Sequence, residues 1–350
     1  MAYQNVGTPR FYVDSGLYQS TIGAWIPEHE SGSTMNKADQ LSLAQLNPTN
    51  VIAISPPEER YKVPRISPIR YMAVLGHNGG TGGYIYPVWG YEVGDVNDNE
   101  GCDNLVQVVN GQPWAQQTVV EHSGFSIWTF ADDETQSQLE LGIGNADWEL
   151  GAVSMGNYYD MQAPDLNLKL SYEYDGVKNI QTKGGATLSN ASYTKPPDWG
   201  NGMGAWQLGE PANPSFGSGR NYRSGRRTWD LSFSYLSSED IMYPTMTDNL
   251  RIFDDSQYTL TDNFFYSENA SGNVWNQDHR VNTHNDFFSQ VWNKTMGGHL
   301  PFIFNPNGGG DSPNNNPDQF AICRFDQSSL QYNQIAPNTY NVKLKIRESW

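Results

Sequence analysis

The chain has 350 residues and a formal net charge of −17, from 21 basic and 38 acidic side chains, so we expect it to repel nucleic acid rather than bind it. Only 17% of the residues are charged and 13% are aromatic, and 34 glycines and 20 prolines interrupt the sequence, a profile typical of many short strands joined by turns. No apolar run reaches the roughly 18 residues that a membrane-spanning helix needs, so we expect no membrane span.

The N-terminal sequence MAYQNVGTPRFYV contains no basic segment followed by an apolar one, so we expect no signal peptide. Cys102 and Cys323 are the two cysteines, and they lie far apart without the spacing of a metal site. We therefore predict two free, buried thiols rather than a disulfide.

Residues 1–160 are predicted to form a β-rich region with long loops, compatible with a sandwich. A short helix is predicted over 36–46, before Pro48. Short apolar segments bounded by turn residues predict strands, and in this region they are 51–55, 70–76, 104–109, 117–121, 125–131, 138–143 and 150–155.

Residues 161–350 carry the clearest strand signals, because three segments alternate apolar and polar residues. Such alternation is typical of an antiparallel strand with one buried face. The predicted core-facing residues are Leu166, Leu168, Leu170, Tyr172 and Tyr174 in the first segment, Trp229, Leu231, Phe233 and Tyr235 in the second, and Tyr340, Val342, Leu344 and Ile346 in the third. Further strands are predicted at 301–305 and 319–325. The predicted fold class is mainly β, an antiparallel β-sandwich or β-barrel with one or two short helices.

The most distinct helix signal lies near 285–296. Phe287 and Val291 are four residues apart and would share one face of a helix. Asn285 can cap its start, and the glycine pair beginning at Gly297 can end it.

Residue types that carry catalysis or hold cofactors are sparse. The chain has 6 histidines and contains neither a HExxH or GxSxG motif nor a phosphate-binding glycine loop. The loop 94–104 offers several acidic and amide oxygens, but it lacks the glycine and glutamate positions of a calcium-binding loop, so an acidic turn is the preferred interpretation. We expect no catalytic site, no metal and no cofactor.

Exposed tryptophans could stack on sugar rings while amides and carboxylates bind the hydroxyl groups. The candidates for such glycan stacking are Trp89, Trp114, Trp128 and Trp148. Tryptophan in a β-rich chain is more often a core residue, and both interpretations stay open at this point.

Four arginines, Arg220, Arg223, Arg226 and Arg227, immediately precede the alternating segment that begins at Trp229. They could bind phosphate, although the acidic charge of the chain argues against it. They could also lie in a solvated loop, pair with acids of the same chain, or pair with carboxylates of a neighbouring copy. Because arginine makes bidentate contacts and like-charged acidic protomers repel one another, we favour the interface role for at least some of them.

Two parts of the C-terminal half resemble structural proteins of bacteriophage tails and baseplates, of the distal-tail type. The first is GRRTWDLSFSY at 225–235. The second is the end of the chain, where a helix leads into GGHLPFIF at 297–304, then FAICRF at 320–325, and finally KIRESW at 345–350. The resemblance covers about residues 160–350.

This resemblance implies a tail-tube-like β-barrel at 161–350 with a packed helix, and no catalytic site. It implies a structural component of a phage tail, a distal-tail or baseplate ring that assembles with copies of itself, as a hexamer, and with adjacent tail proteins. It also implies synthesis in the host cytoplasm and location in the virion. The alternatives are a carbohydrate-binding protein for adhesion to a host surface glycan, and another virion protein such as a capsid decoration or head-to-tail connector.

Overall fold

A computed structural model describes eighteen segments of the chain. They are residues 6–23, 37–46, 52–54, 59–64, 68–77, 84–90, 100–109, 112–114, 117–119, 124–132, 138–144, 147–173, 177–191, 226–241, 266–269, 272–275, 285–315 and 319–349.

The strands in these segments are numbered in chain order. They are β1 (Arg10–Asp14), β2 (Ile52–Ile54), β3 (Glu59–Pro64), β4 (Tyr71–His77), β5 (Tyr84–Gly90), β6 (Glu100–Gly101), β7 (Val106–Val109), β8 (Gln112–Trp114), β9 (Gln117–Val119), β10 (Gly124–Thr129), β11 (Gln138–Gly144), β12 (Trp148–Leu150), β13 (Ala152–Asp160), β14 (Lys169–Glu173), β15 (Val177–Gln181), β16 (Thr187–Ala191), β17 (Arg226–Ser237), β18 (Tyr266–Asn269), β19 (Gly272–Trp275), β20 (Phe302–Asn305), β21 (Ala321–Phe325), β22 (Tyr332–Ala336) and β23 (Thr339–Glu348). The helices are α1 (Ser15–Thr21), α2 (Lys37–Ala44), α3 (Ser238–Ile241) and a π-helix (Phe288–Asn293).

The predicted fold class is confirmed: the structure is mainly β, with antiparallel sheets and short helices. The largest sheet has the order β14-β17-β23-β21-β20-β1-β13-β4-β10-β7, with β22 paired to β23. A second sheet has the order β3-β11-β5-β6, and four further pairs form separate two-stranded sheets. Each strand segment predicted in the N-terminal region overlaps one of these strands, and so do the two predicted at 301–305 and 319–325.

The largest sheet runs through both predicted regions, because β1 lies between β13 and β20. Side chains of β1 alternate between two faces of the sheet. Phe11 and Val13 join a core built mostly by β17, β20, β21 and β23, whereas Tyr12 joins a second core with β4, β10 and β21. A third core belongs to the N-terminal region alone. The division near residue 160 stays a prediction, and hydrogen-bonded strands cross it.

The three alternating segments differ in how many of their predicted core residues are buried. In β23, Val342, Leu344 and Ile346 are buried, as predicted. The first segment is shorter than predicted, because β14 begins at Lys169 and Leu166 is 100% exposed. Leu166 was therefore wrongly assigned to the core.

In β17 the predicted core residues Trp229, Leu231 and Phe233 are buried, but Tyr235 is 78% exposed. A β-bulge lies between Phe233 and Leu236, and the extra residue shifts the alternation so that Leu236 takes the buried position. Tyr235 itself has φ of +61°, the left-handed region that a bulky residue rarely adopts.

Replacing Tyr235 with glycine is expected to raise the free energy of unfolding by about 1 kcal/mol, because glycine adopts a positive φ without steric cost and the exposed ring loses little packing. Urea unfolding of the wild type and the variant measures this difference. A destabilised variant would show that the tyrosine ring makes contacts that compensate for its backbone strain. Serine at the same position is the control, since it keeps a Cβ and is expected to gain nothing.

The predicted helix near 285–296 is present as the π-helix, and its capping residue differs from the prediction. Asp286, not Asn285, caps it, since the Asp286 carboxylate accepts a hydrogen bond of 2.9 Å from the Ser289 backbone N–H. The predicted end is confirmed at Gly297, which has φ of +67°. The 36–46 helix is also confirmed as α2.

Two further expectations bear on the whole chain. Cys102 and Cys323 are free and buried, as predicted. Among the described residues, no helix has the length and apolar character that crossing a membrane requires.

Candidate functional site

Arg227 forms hydrogen bonds and an ion pair within its own chain. Antiparallel pairing of β17 with β23 places it beside Glu348. Its backbone N–H donates to the Glu348 carboxylate at 2.9 Å, and Nη2 donates to the same carboxylate at 3.2 Å and to the Phe320 carbonyl at 2.7 Å. Burial alone would lower the pKa of Arg227, but the charge of Glu348 and its hydrogen bonds raise it.

The predicted interface role is therefore corrected for Arg227, which is 8% exposed and holds the C-terminal strand against β17. The reason is the length of β17: the strand begins at Arg226, so Arg227 lies inside the sheet rather than in a loop before it. Arg226 is half-buried at the start of the strand, opposite Glu173. Arg220 and Arg223 lie outside the described residues, and their interface role stays a prediction.

The glycan-stacking prediction is corrected for three of its four tryptophans. Trp89, Trp128 and Trp148 are at most 1% exposed and belong to the N-terminal core. Their rings pack inside the fold, with Trp89 5.8 Å from Phe130 between ring centroids, so they cannot lie against a sugar at the surface. The Trp114 side chain lies outside the described part of the structure, as do residues 94–99 of the acidic loop.

A buried serine–histidine contact does not form a nucleophilic site. His77 Nε2 lies 2.9 Å from Ser126 Oγ, and burial lowers the pKa of His77 to about 4. Both side chains are at most 2% exposed, so a substrate cannot reach the hydroxyl group in this fold. The described residues also contain no group of three or more side chains able to hold a metal ion.

A chain of hydrogen-bonded polar side chains, buried except for the partly exposed Arg70, joins the π-helix to the main sheet. Arg70 Nε donates to the Asn157 side chain at 2.7 Å, and Asn157 Nδ2 donates to Gln290 Oε1 at 2.8 Å. Lys294 Nζ donates to the same Gln290 oxygen at 2.8 Å. Burial, and secondarily the charge of Arg70, lowers the pKa of Lys294 to about 7, against an opposing effect of Asp132. We call these four hydrogen-bonded residues the polar seam.

The hairpin of β15 and β16 is separate from the main sheet. Its strands pair only with each other among the described strands, through a turn in which Gly185 has φ of +84°. Ile180 and Leu188 are cross-strand partners, and they are 61% and 60% exposed. Neither belongs to any of the three cores. We call this hairpin, residues 177–191, the arm.

Large apolar and aromatic side chains are also exposed near the edge of the main sheet. They are Leu166 before β14, Tyr172 in β14, Tyr235 in β17 and Ile335 in β22. β14 is the terminal strand of the sheet, and in the described part of the chain it pairs only with β17. A sheet edge with apolar residues around it can pair with or pack against another chain.

No family model, curated protein or solved structure matches this chain at a significant level. The function is therefore argued from the arm, the sheet edge and the residues described above.

The sequence contained a signal for the arm that the alternation analysis did not use. Thr182-Lys-Gly-Gly-Ala186 is a glycine-containing turn between two short runs with β-branched residues, which is a hairpin pattern. The burial of Arg227 had no comparable signal, because its partner Glu348 lies 121 residues away.

Proposed function

We propose that this protein is a non-enzymatic structural subunit that assembles with copies of itself through the arm. The exposed cross-strand pair of Ile180 and Leu188 is the observation that carries the proposal. An isolated two-stranded hairpin is only marginally stable in water and gains stability when its apolar face is covered. A neighbouring copy supplies that cover in an assembly.

The charge of the arm supports a second copy as its partner. Residues 177–191 contain two lysines, Lys178 and Lys183, and no acidic residue, whereas the whole chain has a net charge of −17. A basic arm and an acidic body attract one another between copies, which offsets the repulsion between like-charged protomers.

The edge strand β14 gives the assembly a second contact surface, since in the described part of the chain it pairs only with β17. A protomer that offers an arm at one place and a receiving edge at another makes a head-to-tail contact, and such contacts generate rings when the rotation closes. The exposed Leu166 and Tyr172 lie beside this edge and offer apolar surface to the incoming arm.

The resemblance of the C-terminal half to distal-tail proteins supports a finer assignment. On that basis we propose a ring component of a phage tail or baseplate, hexameric, located in the virion and in contact with adjacent tail proteins. The mainly β fold with antiparallel sheets is compatible with this assignment. The alternative virion roles are capsid decoration and head-to-tail connection, and both would use the same arm. The position of the subunit in the virus particle distinguishes them from a tail-ring role.

Replacing Ile180 and Leu188 together with serine is expected to abolish self-assembly and to leave the protomer folded, because both side chains are already exposed in the protomer. Light scattering coupled to size exclusion should give a multiple of 39.2 kDa for the wild type and one protomer for the variant. Asn179→Ser is the matched control, an exposed residue next to Ile180 on the opposite face of the same strand. A wild type that stays monomeric at high concentration, or a variant that assembles normally, would contradict the proposal.

A further inference from the structure

The outward face of the main sheet carries two adjoining grooves that the assembly proposal does not use. They run between β14, β17 and β23 on the side opposite the core, with volumes of about 380 and 350 Å³. We call them together the outer trough. Cavities of about this size hold small ligands in other proteins.

The first groove is lined by amide and hydroxyl groups, with buried Phe233 and Val342 as its floor. Its polar lining residues are Asp165, Asn167, Ser232, Ser234, Asn333 and Asn341. Three of them form hydrogen bonds that fix the wall: Ser234 Oγ donates to Asp165 at 2.8 Å, and the Asn341 side chain accepts from the Tyr235 backbone N–H at 3.2 Å.

Other polar groups of the first groove are available to a ligand. Asn167, Ser232 and Asn333 line it, and within the described part of the chain their side chains form no hydrogen bond. Two primary amides and a hydroxyl offer both donors and acceptors, which is the pattern that the hydroxyl groups of a sugar require.

An exposed tyrosine is connected to this groove through its backbone. The backbone N–H of Tyr235 donates a hydrogen bond to the side chain of the lining residue Asn341. The Tyr235 side chain is 78% exposed, and its backbone φ is +61°. Strained residues of this kind are held in place by their surroundings and often occur at ligand sites. An exposed tyrosine gives the apolar face of a sugar ring a surface to stack on.

The second groove contains more lysines than the first. Lys169, Lys343 and Lys345 line it together with Asp230, and Lys343 is shared by both grooves. Lys345 is paired with Asp326 at 2.6 Å, whereas Lys169 and Lys343 form no ion pair with any described residue. Asp230 lies opposite Lys169 in the pairing of β14 with β17, whereas Ser232 lies opposite Lys343, so Lys343 is the lysine better placed to bind a ligand anion.

The lining favours a saccharide over a protein partner. Protein interfaces depend on buried aromatic, aliphatic and arginine anchors, and the outer trough offers amides, hydroxyls and lysines over a floor that is already buried. We propose that the outer trough binds a carboxylate-bearing saccharide, with its hydroxyl groups on Asn167, Ser232 and Asn333, and its carboxylate on Lys343. The stacking surface is Tyr235, in place of the buried tryptophans.

The test uses the full-length protein on an array of neutral and carboxylate-bearing oligosaccharides. Retained saccharides are then compared with their carboxyl-reduced counterparts by calorimetry. We expect retention of carboxylate-bearing saccharides, and at least a tenfold loss of affinity on reducing the carboxyl group. Lys343→Ala should lower the affinity at least tenfold, and Tyr235→Ala should lower it for neutral and acidic saccharides alike.

Lys183→Ala is the matched control, because Lys183 is an exposed lysine of the arm that does not line the outer trough. It should bind as the wild type does. The Ile180→Ser/Leu188→Ser variant should also bind, which separates this proposal from the assembly. The proposal is overturned if the array retains no carboxylate-bearing saccharide, if the carboxyl-reduced form binds equally well, or if Lys343→Ala binds like the wild type.

Discussion

Replacing Glu348 with alanine is expected to lower the free energy of unfolding by about 3–5 kcal/mol, one of the largest single-residue effects in this chain. The substitution leaves the Arg227 guanidinium buried with only the Phe320 carbonyl of the two partners described above. It also removes the acceptor of the Arg227 backbone N–H. A buried charge that loses its partner carries its full desolvation penalty. The exposed charges of the same sheet carry no such penalty, because water solvates them.

Glu173→Ala is the matched control, because Glu173 pairs with Arg347 at 3.1 Å on the same sheet but at the surface, with side chains 43% and 33% exposed. Exposed pairs of this kind contribute about 0–1 kcal/mol. Urea unfolding of both variants measures the difference. Equal effects of the two substitutions would show that Arg227 and Glu348 are solvated rather than buried. Changing both members of the buried pair, Arg227→Met with Glu348→Leu, should recover much of the lost stability.

Replacing Lys294 with methionine is expected to stabilise the fold near pH 7, by an amount that disappears as the pH rises. The pKa of Lys294 is about 7 in the folded protein and 10.5 as its ordinary value. Between these values the unfolded chain binds a proton that the folded chain does not, so the stability of the wild type rises with pH. A shift of this size corresponds to a stability change on the order of 4 kcal/mol.

Urea unfolding at pH 7, 8, 9 and 10 measures the difference between the wild type and Lys294→Met. We expect the variant to be the more stable at pH 7 and the two to converge by pH 10. Gln290 Oε1 still accepts from Asn157 in the variant, so no acceptor of the polar seam is left unpaired. Lys343→Met is the control for replacing a lysine with methionine at an exposed position. Parallel stability curves for the wild type and Lys294→Met would show that Lys294 is charged in the folded protein.

Residue alternation predicted the fold class because the two-residue period of a strand can be read from a short stretch of sequence. The pattern of β23 predicted its buried face correctly, and each short apolar run that was predicted to form a strand overlaps one. β1 went unnoticed because it faces cores on both sides of the sheet, so four of its five residues are buried and no alternation remains. The helix α1 follows it directly, capped by Asp14, whose carboxylate accepts from Leu17 N–H at 2.8 Å.

The incorrect predictions have a different cause. Contacts with other segments of the chain, which alternation does not reveal, decided where these residues lie. A bulge that inserts one residue moved Tyr235 to the surface, and the alternation before it gave no warning. Arg227 and Lys294 are charged residues that composition places at the surface, and both are buried because distant segments supply Glu348 and Gln290 as partners. The tryptophans are a further example, since the core contains three residues that were also candidates for a binding surface.

Electron microscopy of the purified full-length protein tests the central claim most directly, because it shows whether the chain assembles and where the arm lies. We predict closed rings of one rotational symmetry in which residues 177–191 of each copy contact the next copy, beside its β14 edge. Separate particles of one protomer at high protein concentration, or rings in which the arm contacts no neighbour, would contradict the account.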